Sequence, residues 1–176
     1  TFALALSRRL GIDLRFAIDA LSTFKGVKRR FEYVGNVDGA RVIFDFAHHP
    51  SEIKQALKRA SEQGDVLCVF QPHTYSRTKA YLDDFVSVLG DELNGVKTLA
   101  IMPTYAARED KSMGLDSGEL AIAIFDEFCN RDVYLLKNAQ STVDFVKRHA
   151  KEHTLVLMLG AGDIYDLKDK LPYDKA

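Results

Sequence analysis

The side chains best suited to chemistry gather in three short polar segments, each directly after an apolar run: Asp45-Phe-Ala-His-His-Pro50, Gln71-Pro-His-Thr-Tyr-Ser-Arg-Thr78 and Gly160-Ala-Gly-Asp163. A carboxylate that ends an apolar strand, as Asp45 would, can accept two hydrogen bonds from a vicinal diol, the way sites grip a ribose. It can equally cap the strand end. His48 and His49 precede Pro50, a residue suited to the first helical position, so His49 fits a helix N-cap and either histidine could touch a ligand. His73 and Arg77 stand four apart and share a face if their segment is helical. Arg77 is then a planar fork at a helix start, matched to a carboxylate or phosphate, with a salt bridge to a neighbouring acid as the alternative. Gly160 and Gly162 could cradle an anion with backbone N–H groups. That turn follows the last strand, however, whereas a dinucleotide fingerprint opens the first βαβ unit, which disfavours a nicotinamide enzyme. A metal set of Asp45, His48, His49 and His73 is rejected, because adjacent histidines point apart on an extended backbone and no Cys or second carboxylate completes it.

These segments need elements to position them, and the hydropathy pattern supplies an alternation. Arg30 to Gly35 and Arg41 to Asp45 flank Asn36-Val-Asp-Gly39, whose Asp-Gly signals an antiparallel hairpin. Afterwards the pattern predicts helix Pro50 to about Gln63, strand Asp65 to Phe70, helix from about Arg77 to Leu93 and strand Val96 to Met102. It continues with helix Asp116 to Phe128, strand Asp132 to Leu135, helix Gln140 to His149, strand Thr154 to Leu159 and helix Asp163 to about Lys170. Such alternation is the sequence form of an α/β, Rossmann-like fold: a mostly parallel six-stranded sheet, one antiparallel strand from the N-terminal hairpin, and helices on both faces. Val66–Phe70 and Leu155–Leu159 are continuously apolar, as central strands covered on both faces must be. In such sheets ligands bind outside the carboxyl ends of the strands, where all three polar segments fall. The loop Pro103 to Leu115 is long enough to suspect of function, and Asp116 with Glu119 forms a capping box that closes it. Within it, Arg108 and Glu109 are not interpretable from spacing.

The whole-chain numbers narrow the class. At 176 residues, 47% apolar and 28% charged, the chain is an ordinary globular domain with a short appendage. Lys and Arg total 24 against 25 Asp and Glu, a net charge of −1, which argues against the basic footprint of a nucleic-acid binder. The longest apolar stretch, Leu155 to Ile164, falls far short of the roughly 20 residues of a bilayer span. Cys68 and Cys129 are too few for a disulfide framework and favour a reducing compartment. The opening run Phe2 to Leu10 ends at Gly11, a natural helix stop, and Asp13 can cap a second helix with apolar Leu14, Ala17, Ile18 and Leu21. Two short helices cannot form a core, so they read as the tail of a preceding domain. Lys25, Lys28, Arg29 and Arg30 then form a basic cluster at the crossing point, either a solvated surface or a place for a nucleotide phosphate.

Taken in order, Phe24-Lys-Gly-Val-Lys-Arg-Arg-Phe-Glu32, Asp45-Phe-Ala-His-His-Pro50, Phe70-Gln-Pro-His-Thr-Tyr-Ser-Arg-Thr78, Tyr105-Ala-Ala-Arg-Glu109 and Leu159-Gly-Ala-Gly-Asp-Ile164 resemble the carboxyl-terminal third of the Mur ligases. The likeness covers essentially the whole chain. Its Gln-Pro-His-x-Tyr-Ser-Arg-Thr segment is most similar to the branch that joins L-alanine to UDP-N-acetylmuramate, and it separates that branch from the murein tripeptide ligases. The resemblance implies a three-domain cytoplasmic enzyme of peptidoglycan precursor synthesis. It would activate a carboxylate as an acyl phosphate with ATP and Mg²⁺, which an amino acid's amine then attacks. Residues 1–24 would be the tail of the central ATPase domain, 25–31 a linker, and 32–176 the C-terminal domain. By the same resemblance Arg30 and Asp45 contact ATP, with His48 nearby, while His73 and Arg77 hold the L-alanine carboxylate and Phe46 belongs to the same amino-acid-binding set. Phe46 stands where many relatives have Tyr, and Thr74 where some have a second Arg, which shifts the amino-acid grip toward Arg77. No Gly-x-x-x-x-Gly-Lys-Ser/Thr phosphate loop occurs here, so this chain alone is expected to be inactive, with the metal ligands mainly in the missing central domain. Its partners would be those missing domains, not nucleic acid or membrane. The rival expectation is a stand-alone, non-catalytic α/β module that binds a nucleotide or a partner protein.

Overall fold

A computed structural model describes residues 2–24, 26–91, 95–129 and 132–175. Lys25 of the basic cluster and Leu93, the expected end of a helix, lie outside the described residues. The chain opens with α1 (Phe2–Arg9) and α2 (Leu14–Ser22). Gly11 at φ +72° ends the first, and the Asp13 carboxylate accepts from the N–H groups of Arg15 and Phe16 to cap the second. Of this pair only Ala17 is buried, whereas Phe2, Leu10, Phe16 and Ile18 are exposed.

The antiparallel pair forms as its turn demands. β1 (Glu32–Val37) and β2 (Ala40–Asp45) are joined by Asp38 and Gly39 at φ +47° and +84°, the two left-handed positions of a type I′ turn. There follow α3 (Pro50–Ser61), β3 (Val66–Phe70), α4 (Tyr75–Ala80), α5 (Leu82–Gly90), β4 (Val96–Ile101), α6 (Ser117–Glu127), β5 (Val133–Leu135), α7 (Ala139–His149) and β6 (Leu155–Leu159). The six strands lie in the order β1-β2-β6-β3-β4-β5, parallel except for the first pair. β3 and β6, the two continuously apolar runs, are central and wholly buried. On one face Ile43, Cys68 and Leu157 pack with Ile53 and Leu57 of α3, Phe85 of α5 and Leu120 of α6. On the other, Val42, Val69 and Val156 pack with Val143 and Val146 of α7 and with Ile164 and Leu167.

Two expected helices come out differently. The single helix predicted from about Arg77 begins two residues earlier, as α4, and breaks at Tyr81 (φ −121°, ψ 28°). Tyr81 packs its ring against His49 at 4.6 Å, and α5 restarts behind it with Asp83 and Asp84 in its first turn, where the helix dipole favours acids. The last predicted helix is a 3₁₀ segment, Asp163–Asp169. Its first turn is held from outside, because the Ile164 N–H donates to the Gln71 side chain.

The sheet register sets up the site. Asp45 pairs with Leu159, Leu159 with Phe70, Phe70 with Ile101, and Ile101 with Leu135, so five strands end in one row. The loops that follow them therefore open onto a common rim.

Candidate functional site

The Asp45 carboxylate accepts from the N–H of Phe31 at 2.7 Å through one oxygen and from that of Ala47 at 2.8 Å through the other. It is thus a strand-end cap that also ties the strap 29–31 to the sheet, with lone pairs left over on an acceptor that takes more than two bonds. Those face a cavity of about 380 Å³ lined by Arg30, Phe31, Glu52 and Arg59. Arg59 lays its guanidinium on the Phe31 ring, 4.1 Å from the centroid, which walls one side. Arg30 lies 5.6 Å from the centroid of Phe46 and lines the same cavity as Asp45.

Phe46 has Arg29 4.6 Å from its centroid and His48 edge-on at 5.2 Å, which places it on the strap side of the rim. His48 Nδ1 donates to the carbonyl of Phe46 at 2.9 Å and lies 3.4 Å from Glu52. His49 is the N-cap of α3, its Nδ1 accepting from the Ser51 N–H. Glu52 answers by accepting from the N–H groups of His48 and His49; these bonds outweigh its partial burial and hold its carboxyl below the usual range. His49 is therefore structural.

His73 and Arg77 do not share a helical face. Helix α4 starts at Tyr75, and Thr74 before it has φ +67° and ψ 142°, a region a β-branched residue enters only when its surroundings dictate it. The surroundings are the loop after β4: Thr74 N–H donates to Tyr105 O at 2.9 Å and Tyr105 N–H to Pro72 O at 2.8 Å, a one-residue parallel bridge between His73 and Tyr105. This holds the His73 ring between His48 and Tyr105, with centroids 5.5 Å away on each side. Burial holds the imidazole below the usual histidine range, reinforced by the charge of Arg77 and by His48, with Glu109 opposing. His73 Nδ1 and Arg77 Nη1 are both buried without a hydrogen-bond partner, as is Thr104 Oγ1. Among the described residues Arg77 forms no ion pair, so the salt-bridge alternative is not what the structure contains.

In the glycine turn, the Gly160 N–H is not free to cradle an anion. Gly160 N–H is taken by Asp45 O at 3.1 Å, and Gly162 O accepts from Arg29 at 3.3 Å. Gly162 is there for close approach, since a Cβ would meet the Tyr105 side chain at 2.5 Å. Behind Tyr105 lies a second cavity of about 450 Å³, lined by Thr104, Lys137, Asp163 and Lys170.

Three contributors escaped the sequence. Arg29 places its guanidinium between Phe46 and Tyr165, and its N–H donates to Glu32, which also holds Lys168 and the Tyr165 hydroxyl. Glu109 accepts from both the N–H and the hydroxyl of Ser76, which lowers its carboxyl pKa and caps α4 where Thr74 offers no side-chain bond. Gly114 lets its loop lie against the backbone of Tyr75, whose N–H-accepting carbonyl takes Leu115 N–H at 3.1 Å. The sequence signals for them were the basic cluster and the Phe24–Glu32 motif for Arg29 and the Tyr-Ala-Ala-Arg-Glu motif for Glu109, with none for Gly114.

Residues 29–162 match the family model described as Mur ligase, glutamate ligase domain. The chain is 39% identical over 170 residues to the UDP-N-acetylmuramate–L-alanine ligase of Caldanaerobacter subterraneus subsp. tengcongensis, covering 96% of this chain and 36% of that protein. It is 40% identical over 166 residues to the protein of the same name from Clostridium novyi, covering 92% of this chain and 34% of that one. The crystal structure of the Thermotoga maritima UDP-N-acetylmuramate–alanine ligase shares the fold, with a TM-score of 0.73 at 24% identity over 95% of this chain and 34% of that one. The chain thus spans about a third of the length of the curated relatives it matches. A match over 134 consecutive positions, carrying both the capped Asp45 strand and the clamped His73 segment, makes this chain a member of the Mur ligase family, as its C-terminal glutamate ligase domain.

Proposed function

We propose that this chain is the amino-acid-binding, ATP-site-completing domain of an ATP-dependent, cytoplasmic ligase that adds L-alanine to UDP-N-acetylmuramate. The observation that carries the reading is the pair of buried, unpartnered polar atoms at the rim, His73 Nδ1 and Arg77 Nη1. Buried polar groups are rarely left without partners, and a fork with a free buried N–H fits the carboxylate of an amino acid. On the strap side, the cavity bounded by Arg30 and Asp45 suits a ribose and phosphate, with His48 beside it. Residues 1–24, with their exposed apolar side chains, would belong to the central ATPase domain, 25–31 would be the linker, and 32–176 the domain proper.

Among the described residues no three His, Cys, Asp or Glu side chains are grouped to hold a metal ion. By the family resemblance Mg²⁺ would be held with the nucleotide phosphates by the preceding domain, and this chain's own residues would bind and orient. The stand-alone binding module is the rival. Phosphate release by the full-length enzyme, dependent on both UDP-N-acetylmuramate and L-alanine and absent from the 176-residue chain alone, is the expected result. ATP turnover by the isolated chain that Asp45→Ala abolishes would overturn it.

A further inference from the structure

The two unpartnered groups at the rim differ in chemistry. Arg77 is a permanent cation, whereas His73 is a part-buried imidazole with a buried Nδ1, whose burial and neighbours disfavour its charged form. The guanidinium is close enough to act on the imidazole, and the two would complement the two ends of a zwitterion, the carboxylate on the guanidinium and the ammonium on Nδ1 in the tautomer that leaves it a lone pair. Resting on the L-alanine reading above, we propose that His73 does not grip the carboxylate but acts as the base, its Nδ1 accepting a proton from the amino acid's ammonium.

The step balances as follows. The N–H bond of the ammonium breaks, its electron pair stays on the nitrogen, and the proton passes to Nδ1. That nitrogen pair then forms the C–N bond to the carbonyl carbon of the acyl phosphate, while the bond from that carbon to the bridging oxygen breaks and its pair leaves on that oxygen as inorganic phosphate. The remaining excess proton on the new amide nitrogen is lost to solvent or phosphate.

The surroundings hold the imidazole for this role. His48 faces it from the loop after β2, Arg77 from α4, and Tyr105 and Glu109 from the loop after β4. Ring contacts on both sides and the backbone bridge at Tyr105 fix its plane, so the lone pair does not need to be ordered when substrate arrives. Glu109 is occupied by Ser76, which leaves it a background charge and not a competing base.

The test uses the full-length enzyme with two nucleophiles. L-alanine must lose a proton before it attacks; hydroxylamine is already neutral near pH 7. Positioned bases contribute roughly 100- to 10,000-fold, so His73→Gln should lower kcat with L-alanine by that range. Its defect in hydroxamate formation should be at least about tenfold smaller, and its L-alanine defect should shrink as pH rises toward the amine's own pKa. In wild-type enzyme, kcat with L-alanine should fall on the acid side at a pKa below the ordinary histidine range, with no such limb for hydroxylamine. Equal defects with both nucleophiles, a raised KM alone, or identical acid limbs would overturn the proposal. Arg77→Ala in parallel separates the two readings: if it leaves L-alanine kinetics untouched, the substrate site itself is misplaced, whereas a raised KM for L-alanine there with a null result at His73 sinks only the base.

Discussion

Replacing Arg77 by Met should make the protein more stable and the enzyme worse. In the structure the guanidinium carries a buried N–H with no acceptor, in a side chain that is otherwise half-exposed. A buried donor without a partner costs about 1–3 kcal/mol, and partial exposure puts this one near 1 kcal/mol. Methionine keeps the aliphatic stem and removes the donor, so the gain should approach that figure. In a domain of this size it appears as a rise in Tm of about 2–4 °C. Activity moves the other way. Losing one partner of a desolvated carboxylate pair costs about 2–5 kcal/mol, or roughly 30- to 4,000-fold in kcat/KM for L-alanine. Arg77→Lys should recover part of this, because an ammonium keeps the charge and loses the fork. Thermal unfolding of the 176-residue chain gives the first quantity; steady-state kinetics of the full-length variant, with L-alanine varied at saturating ATP and UDP-sugar, gives the second. A drop in Tm of more than about 4 °C would mean that Arg77 has a structural partner, at about 2–4 °C per kcal/mol. A kcat/KM within about threefold of wild type, under roughly 0.7 kcal/mol, would remove it from the substrate site.

Further outcomes follow from the same contacts. Asp45→Asn loses one of two acceptors for the N–H groups of Phe31 and Ala47, which should cost about 1.5–3 kcal/mol in urea unfolding and raise KM for ATP more than for L-alanine. Gly162→Ala drives a methyl into Tyr105 and Gln71 and should destabilise by about 1–3 kcal/mol while lowering kcat/KM for L-alanine; unchanged kinetics would show that Tyr105 does not set His73. Glu32, Glu52 and Asp116 all have carboxyl pKa values depressed in the folded state. The unfolded chain therefore binds more protons below its own carboxylate pKa, and the stabilisation is present above about pH 4.5 and lost as pH falls through the folded values. Urea midpoints measured from pH 7 to 3 should drop over that window, less steeply in Glu52→Gln.

Much of the fold was legible because local and global preferences agree. Asp38-Gly39 could make only one kind of hairpin turn, and the unbroken apolar runs of β3 and β6 could only be central strands. Capping residues placed helix starts well, at Asp13, His49 and Asp116. What escaped was decided by contacts distant in sequence. Nothing near Tyr81 breaks a helix by propensity; the ring's seat against His49 coincides with the break. Nothing near Asp163 prefers 3₁₀ geometry, and the Gln71 side chain 93 positions away holds that turn. In the site, residue types were visible but their division of work was not. Arg29 and Arg30 look alike in sequence, yet one guanidinium is fixed on Gly162 while the other opens onto a cavity. Spacing placed His73 and Arg77 on one helical turn, whereas the loop carrying Tyr105 assembles them around a backbone kink at Thr74.

The rings of Phe46, His48, His73 and Tyr105 touch in sequence, with centroids 5.2, 5.5 and 5.5 Å apart, so the strap side and the Tyr105 side of the rim are one connected pile. Residues in contact do not contribute additively to stability or activity. Truncating Phe46 frees His48 to tilt, which changes what His73 leans on; truncating Tyr105 does the same from the opposite end. An alanine scan along this pile therefore cannot be apportioned ring by ring. Single replacements will each report the relaxation of the remaining rings, and their sum will exceed what removing the whole pile would cost.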